Sequence, residues 1–171
     1  LRRVAHTNDP SVKEDDLRLI IAGGYDPRLD ENVKHFEELR DLASSLGIAE
    51  HTVFLRSISD ATKFYLLSMA RCIVYTPSGE HFGIVPVEAM AFGRVVIAVN
   101  DGGPVESIGE NNENGFLCAP DSRSFAEVMH RIVTSDELCE RMGQAAKRRC
   151  AAMFSLESFS ARLIACIIKL R

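Results

Sequence analysis

Cys72-Ile73-Val74-Tyr75-Thr76-Pro77-Ser78-Gly79-Glu80-His81-Phe82-Gly83-Ile84-Val85-Pro86-Val87-Glu88-Ala89-Met90-Ala91-Phe92-Gly93-Arg94-Val95-Val96-Ile97-Ala98-Val99 contains one strand–helix–strand unit. Cys72–Thr76 is a short apolar run ended by Pro77, and predicts a strand. Val95–Val99 is apolar without alternation, which predicts a strand covered on both faces. Between them, Ile84–Phe92 predicts a helix. Pro86 suits its first turn, where no N–H is needed, and Gly93 closes it.

The alternation extends both ways. Upstream, Leu17–Ala22, ended by Gly23-Gly24, predicts a buried parallel strand. Val33, Phe36, Leu39, Leu42, Ala43 and Leu46 recur at three and four, predicting a helix over Asp30–Leu46 that stops at Gly47. Thr52–Leu55 predicts a strand, and Asp60 caps a helix through Ala70 with Phe64, Leu67 and Met69 partly inward. Downstream come a short helix at Val105–Ile108, a short strand at Gly115–Cys118, and helices near 122–134, 136–152 and 156–170. Asp121 or Ser122, Ser135 and Ser155 are their caps. Leu1–Ala5 resembles a helix tail, and Asn8–Ser11 a loop. Short strands alternating with helices predict an α/β chain, a Rossmann-like doubly wound parallel sheet followed by C-terminal helices. In the last helix the charge-free stretch is only Leu163–Ile168, short of the ~20 residues of a membrane span. It is read as a docking helix, with interfacial membrane contact as the alternative.

Composition narrows the function. The 171 residues suit one domain, and 46% apolar with 26% charged is ordinary for a globular protein. A net charge of -4 argues against a nucleic-acid partner. Cys72, Cys118, Cys139, Cys150 and Cys166 form no C-x-x-C and no zinc spacing, so no metal is expected and the thiols are read as reduced and mostly buried. No signal peptide is visible, and the start at Leu1 rather than Met predicts a piece of a longer chain. Met69, Met90, Met129, Met142 and Met153 are expected in the core, as is Tyr75. His6, His35, His51 and His130 are expected on the surface, and Lys147-Arg148-Arg149 as a solvated helix end. Asp26 and Asp101 are expected to cap loops.

Ligands of open α/β sheets bind beyond the carboxyl ends of the strands. Those ends lead into Gly23–Asp26, Arg56–Ser59, Pro77–Gly83 and Asn100–Pro104. Glycine lets a ligand approach the backbone, and a helix N-terminus offers N–H groups to an anion, so a phosphorylated ligand is expected. G-x-x-x-x-G-K-[ST] and G-x-G-x-x-G are both absent, against a P-loop and a dinucleotide redox site. Glu80 would lie in a loop and Glu88 about one turn into the helix, with the amides of Gly83, Ile84 and Val85 between them. Such an arrangement suits a nucleotide sugar. Alternatively, Glu80 caps the helix and Glu88 is solvated.

Pro77, Ser78, Glu80, Phe82, Gly83, Glu88 and Ala89, followed by a strand and then Gly102, Gly103 and Glu106, resemble the retaining GT-B glycosyltransferases of family four. The likeness runs from Ile20–Gly24 to the closing helices and is specific as a set. More narrowly, Ala22–Asp26, Phe54–Ser57, Tyr75–Met90 and Val96–Ile108 are similar to the branch that uses GDP-mannose and dolichol-linked acceptors.

The resemblance implies roles. Glu80 would be the catalytic-site residue, bonding donor-sugar hydroxyls. His81 would contact the donor or cap the loop. Phe82, Gly83, Ile84 and Val85 would surround the sugar and diphosphate, with Glu88 on the ribose. Arg56, Ser57 and Ile58 would border the base, and Gly102 and Gly103 would pass close to the donor. It implies no cofactor beyond the donor substrate, and the endoplasmic reticulum membrane, cytosolic face, as location. Peripheral membrane contact would accompany that location. A sibling using UDP- or ADP-glucose and a non-catalytic nucleotide-sugar-binding module are the alternatives. The 171 residues would be the C-terminal donor-binding domain, lacking its first strand and the N-terminal half that takes the dolichol-linked oligosaccharide acceptor. Arg2 and Arg3 do not match the family's diphosphate clamp.

Overall fold

The computed structural model describes residues 17–109 and 111–169. Leu1–Ala5, His6, the Asn8–Ser11 loop and Leu170 lie outside the described residues. The chain divides into two compact units, one ending at Tyr65 and the other beginning at Leu66.

In the first unit, β1 (Leu19–Gly23) and β2 (Thr52–Arg56) pair in parallel, from Leu19 opposite Thr52 to Gly23 opposite Arg56. The crossover is α1 (Asp30–Ser45), whose first turn carries Asp30 and Glu31 at the positive end of the helix dipole. Phe36 of α1 meets Tyr25 and Phe54 edge-on, each with ring centroids 5.6 Å apart. α2 (Asp60–Met69) carries the chain into the second unit.

There β3 (Cys72–Tyr75), β4 (Val95–Val99) and β5 (Phe116–Cys118) form a parallel sheet in that order. The other helices are α3 (Ile84–Ala91), α4 (Gly103–Ile108), α5 (Ser122–Val133), α6 (Asp136–Phe154) and α7 (Leu156–Lys169). β4 is central, and all five of its residues are buried. Val96 and Ala98 join Leu67, Ala89, Met90, Ile108 and Ala146 on one face. Val95 and Ile97 join Phe116, Cys118, Ile132 and Met142 on the other. Alternate side chains of one strand thus feed two cores, the physical basis of its unbroken apolar sequence.

The expected elements all form, with shifted ends. β1 begins at Leu19, β2 extends to Arg56, and α4 begins at Gly103 rather than Val105. Asp60 does not cap α2: the Ser59 hydroxyl accepts the Thr62 amide at 3.2 Å, making Asp60 the first helical residue. Of Phe64, Leu67 and Met69, only Leu67 is buried. Asp121, not Ser122, caps α5, accepting the Arg123 and Ser124 amides at 2.9 Å each. Ser135 and Ser155 cap α6 and α7 as expected.

Other expectations are corrected. Only Cys118 is fully buried, while Cys166 is exposed. Met90 and Met142 are core residues, but Met69 and Met153 lie at the surface. Arg149 is not merely solvated. Its Nε and Nη2 donate to the carbonyls of Ser107 and Glu106 at 2.9 and 2.7 Å, closing the C-terminal end of α4.

α7 exposes Leu156, Phe159, Leu163, Ile164, Ile167 and Ile168. By length and composition alone, Asp136–Lys169 is long and apolar enough to cross a membrane. Ser155, in extended conformation, divides that stretch. The 14 residues of α7 span roughly 21 Å, against a hydrocarbon core of about 30 Å.

Candidate functional site

The β3–α3 loop, residues 76–83, opens at the carboxyl end of the sheet. Two hydrogen bonds fasten it to the loop after β4. The Gly79 amide donates to the Asp101 carboxylate at 2.8 Å, and the Gly103 amide donates to the Glu80 carbonyl at 2.7 Å. Asp101 is therefore a loop brace, as its position suggested.

Gly102 lies at φ +61, ψ −145, a region that side chains avoid. A Cβ there would also overlap the Glu80 carbonyl oxygen, and one on Gly103 would overlap the backbone of Phe82. These glycines thus allow a close approach between the two loops.

Glu80 is exposed in the loop, and Glu88 is half-buried, one turn into α3. That is the placement expected from their spacing. Gly83, at φ +69, precedes the helix and carries no capping side chain. Ile84 and Val85 are exposed, while Pro86, Val87, Ala89 and Met90 are buried. The first turn of α3 therefore opens outward and its body anchors in the core. Backbone N–H groups so presented favour an anion.

Tyr75 has a part that its core assignment missed. Its hydroxyl lies beneath Gly83, 2.8 Å from where a Cβ would stand. Burial raises the phenol pKa, and the Glu80 carboxylate nearby adds to the shift. Phe82 is anchored as well, its ring meeting Phe154 of α6 edge-on at 5.8 Å. Phe154 is not signalled locally, because it meets the loop from a distant element, and the contact of Tyr75 with Gly83 spans the whole loop that begins just after it. His81 is exposed.

Arg56, Ser57 and Ile58 belong to the first unit. The Arg56 guanidinium lies over the rings of Tyr25 and Phe36, 4.7 and 5.0 Å from their centroids. Ser57, at φ +48, ties two loops together: its hydroxyl accepts the Tyr25 amide and donates to the Tyr25 carbonyl. Of the three, Arg56 lines an open cleft of about 390 Å³, together with Gly23, Gly24, Tyr25, Phe36 and Phe54. Asp26 in the adjoining loop pairs with Arg28 at 2.7 Å, and the hydrogen bonds from Arg28 lower its pKa. Among the described residues, no group of three or more His, Cys, Asp or Glu side chains could hold a metal ion.

A family model described as glycosyl transferases group 1 matches residues 4–149. The chain is 46% identical over 161 residues to the alpha-1,3/1,6-mannosyltransferase ALG2 of Mus musculus, covering 94% of this chain and 39% of that protein. To the alpha-1,3/1,6-mannosyltransferase ALG2 of Homo sapiens it is 45% identical over 154 residues, covering 90% and 37%. It thus spans well under half the length of these relatives. The solved structure of Anabaena Alr3699/HepE in complex with UDP matches with a TM-score of 0.81 at 22% identity, over 98% of this chain and 43% of that one. The C-terminal domain of a glycosyl transferase group 1 family protein, LpcC, from Francisella tularensis matches at 0.67 and 18%, over 89% and 95%. At those identities the two structures speak for the fold, a parallel sheet with helices on both faces, as seen around β4. Together with the family match over most of its length, this fold and the motif carried at its strand ends mean that the chain belongs to the glycosyl transferases of group 1.

Proposed function

We propose that these residues are the donor-binding part of a retaining mannosyltransferase that moves mannose from GDP-mannose to a dolichol-linked oligosaccharide. The observation that carries this reading is the braced loop at the open first turn of α3. Glu80 is exposed there, and its backbone is tied to Gly103. The similarity to two named mannosyltransferases supports the choice of sugar.

In this reading Glu80 accepts hydrogen bonds from mannose hydroxyls, and His81 stands beside it. The amides of Gly83, Ile84 and Val85 face the diphosphate, and Glu88 takes the ribose hydroxyls. The sugar–phosphate bond breaks as the acceptor oxygen bonds the same carbon on the same face. The departing diphosphate takes the acceptor proton. The protein then contributes position and charge stabilisation rather than a nucleophile. The acceptor is held by the other half of the full-length protein. The cytosolic face of the endoplasmic reticulum is the proposed location, and the exposed apolar side chains of α7 support peripheral contact with that membrane.

The test uses the full-length protein with a dolichol-linked oligosaccharide and, separately, labelled GDP-mannose, UDP-glucose and ADP-glucose. Label passing into the lipid extract from GDP-mannose is the expected result. Transfer from either glucose donor instead would replace this reading with the sibling enzyme. Donor binding without any transfer would make the domain a binding module.

A further inference from the structure

We infer that Arg141, Arg148 and Arg149 of α6 form a second anion site, for a phosphate-bearing ligand that also carries hydroxyls. A pocket of about 450 Å³ opens between α6 and the segment joining α4 to β5, lined by these arginines with Ala145, Glu113 and Asn114. Positions 141, 145, 148 and 149 follow one another at four, seven and eight, so they share one helical face.

The site is partly preorganised. Arg149 is fixed by its bonds to the Ser107 and Glu106 carbonyls. Asn114 donates to the Ile108 carbonyl at 3.2 Å, which holds the opposite wall. Arg141 and Arg148 are exposed and form no ion pair among the described residues.

Three cations gathered on one face repel one another unless an anion joins them, and the chain as a whole is negative, at -4. Planar guanidinium groups match the paired oxygens of phosphate. Among the described residues the one carboxylate in the lining is Glu113, which can accept from a neighbouring hydroxyl. A phosphorylated polyol satisfies both.

This pocket is not the Glu80 site. Residues 111–115 lead into β5 and so lie toward the amino ends of the strands, whereas the Glu80 loop lies at their carboxyl ends.

A phosphorylated polyol can come free in solution or as a lipid headgroup, and the test separates the two. The full-length protein is first saturated with GDP, then titrated with inositol hexakisphosphate. In parallel it is floated with phosphatidylcholine vesicles with and without phosphatidylinositol 4-phosphate. The wild type is expected to bind one or both phosphorylated probes. The Arg141→Gln/Arg148→Gln variant is expected to bind at least tenfold more weakly, with its melting temperature and GDP affinity unchanged. Response to the free probe alone identifies a soluble ligand, and response to the doped vesicles identifies a headgroup. Wild type that binds neither probe, or a variant that binds as wild type does, overturns the inference. Because neither arginine belongs to the Glu80 loop, failure here leaves the donor assignment standing, and the reverse also holds.

Discussion

The amide of Gly103 donates to the carbonyl of Glu80 at 2.7 Å, so the residue proposed to hold the donor sugar is itself held by the loop that follows β4. Asp101 braces the same loop at Gly79. The Glu80 loop therefore depends on Asp101 and Gly103, some twenty residues away in sequence.

Gly103→Ala should be destabilising, because its Cβ would overlap the Phe82 backbone rather than a movable side chain. Overpacking of this kind costs about 1–3 kcal/mol. A thermal melt of the full-length protein should fall accordingly, and GDP-mannose affinity should drop more than the melt alone explains. An unchanged melt would mean that the two loops part easily.

Gly83→Ala tests the phenol beneath the loop. The substitution incurs positive-φ strain of order 1–3 kcal/mol and a contact 2.8 Å from the Tyr75 hydroxyl. Substitution at Gly83 thus threatens stability as well as donor binding. Adding Tyr75→Phe should recover part of the loss. Strictly additive melts in the double-mutant cycle would show that Tyr75 is not the obstacle.

Glu88→Gln should weaken GDP itself by about 1–3 kcal/mol, the range for a lost charge-assisted hydrogen bond. Calorimetric titration with GDP reads this directly. Equal affinity in wild type and variant would remove the ribose assignment.

Acid should loosen α5 in a defined direction. The Ser124 amide and then its hydroxyl hold the Asp121 carboxyl below the usual aspartate range. A carboxylate lowered in the folded state contributes stability above its unfolded pKa and loses it as pH falls through the folded value. Asp121→Ala should therefore be less stable than wild type at neutral pH, and the gap should narrow below about pH 4. Parallel melts across that range check it. A gap independent of pH would mean that the carboxylate charge is not the active feature.

The fold was legible because its signals are local. β4 is unbroken apolar sequence because both its faces are buried, and Gly47 and Gly93 stop α1 and α3 at positive φ. The motif from Glu80 to Glu88 was legible too, since loop and helix placement follow from Pro86 and the seven intervening residues. What escaped was long-range. Phe154 meets Phe82 across 72 positions, and Arg149 closes α4 from 42 residues away. The Ser59 cap was missed for a different reason: Ser59 and Asp60 are adjacent and both are good caps, so only the observed bond to Thr62 distinguishes them. The outward positions of Met69 and Met153 escaped because an apolar residue at helical spacing says nothing of which neighbours are present.

The most direct test of the Glu80 assignment is the initial rate of mannose transfer from GDP-mannose by full-length protein carrying Glu80→Gln, at donor concentrations normalised to its measured GDP affinity. The account predicts GDP affinity within about twofold of wild type and a rate lower by several orders of magnitude, since the carboxylate meets the sugar and not the nucleotide. Transfer at the wild-type rate would contradict it.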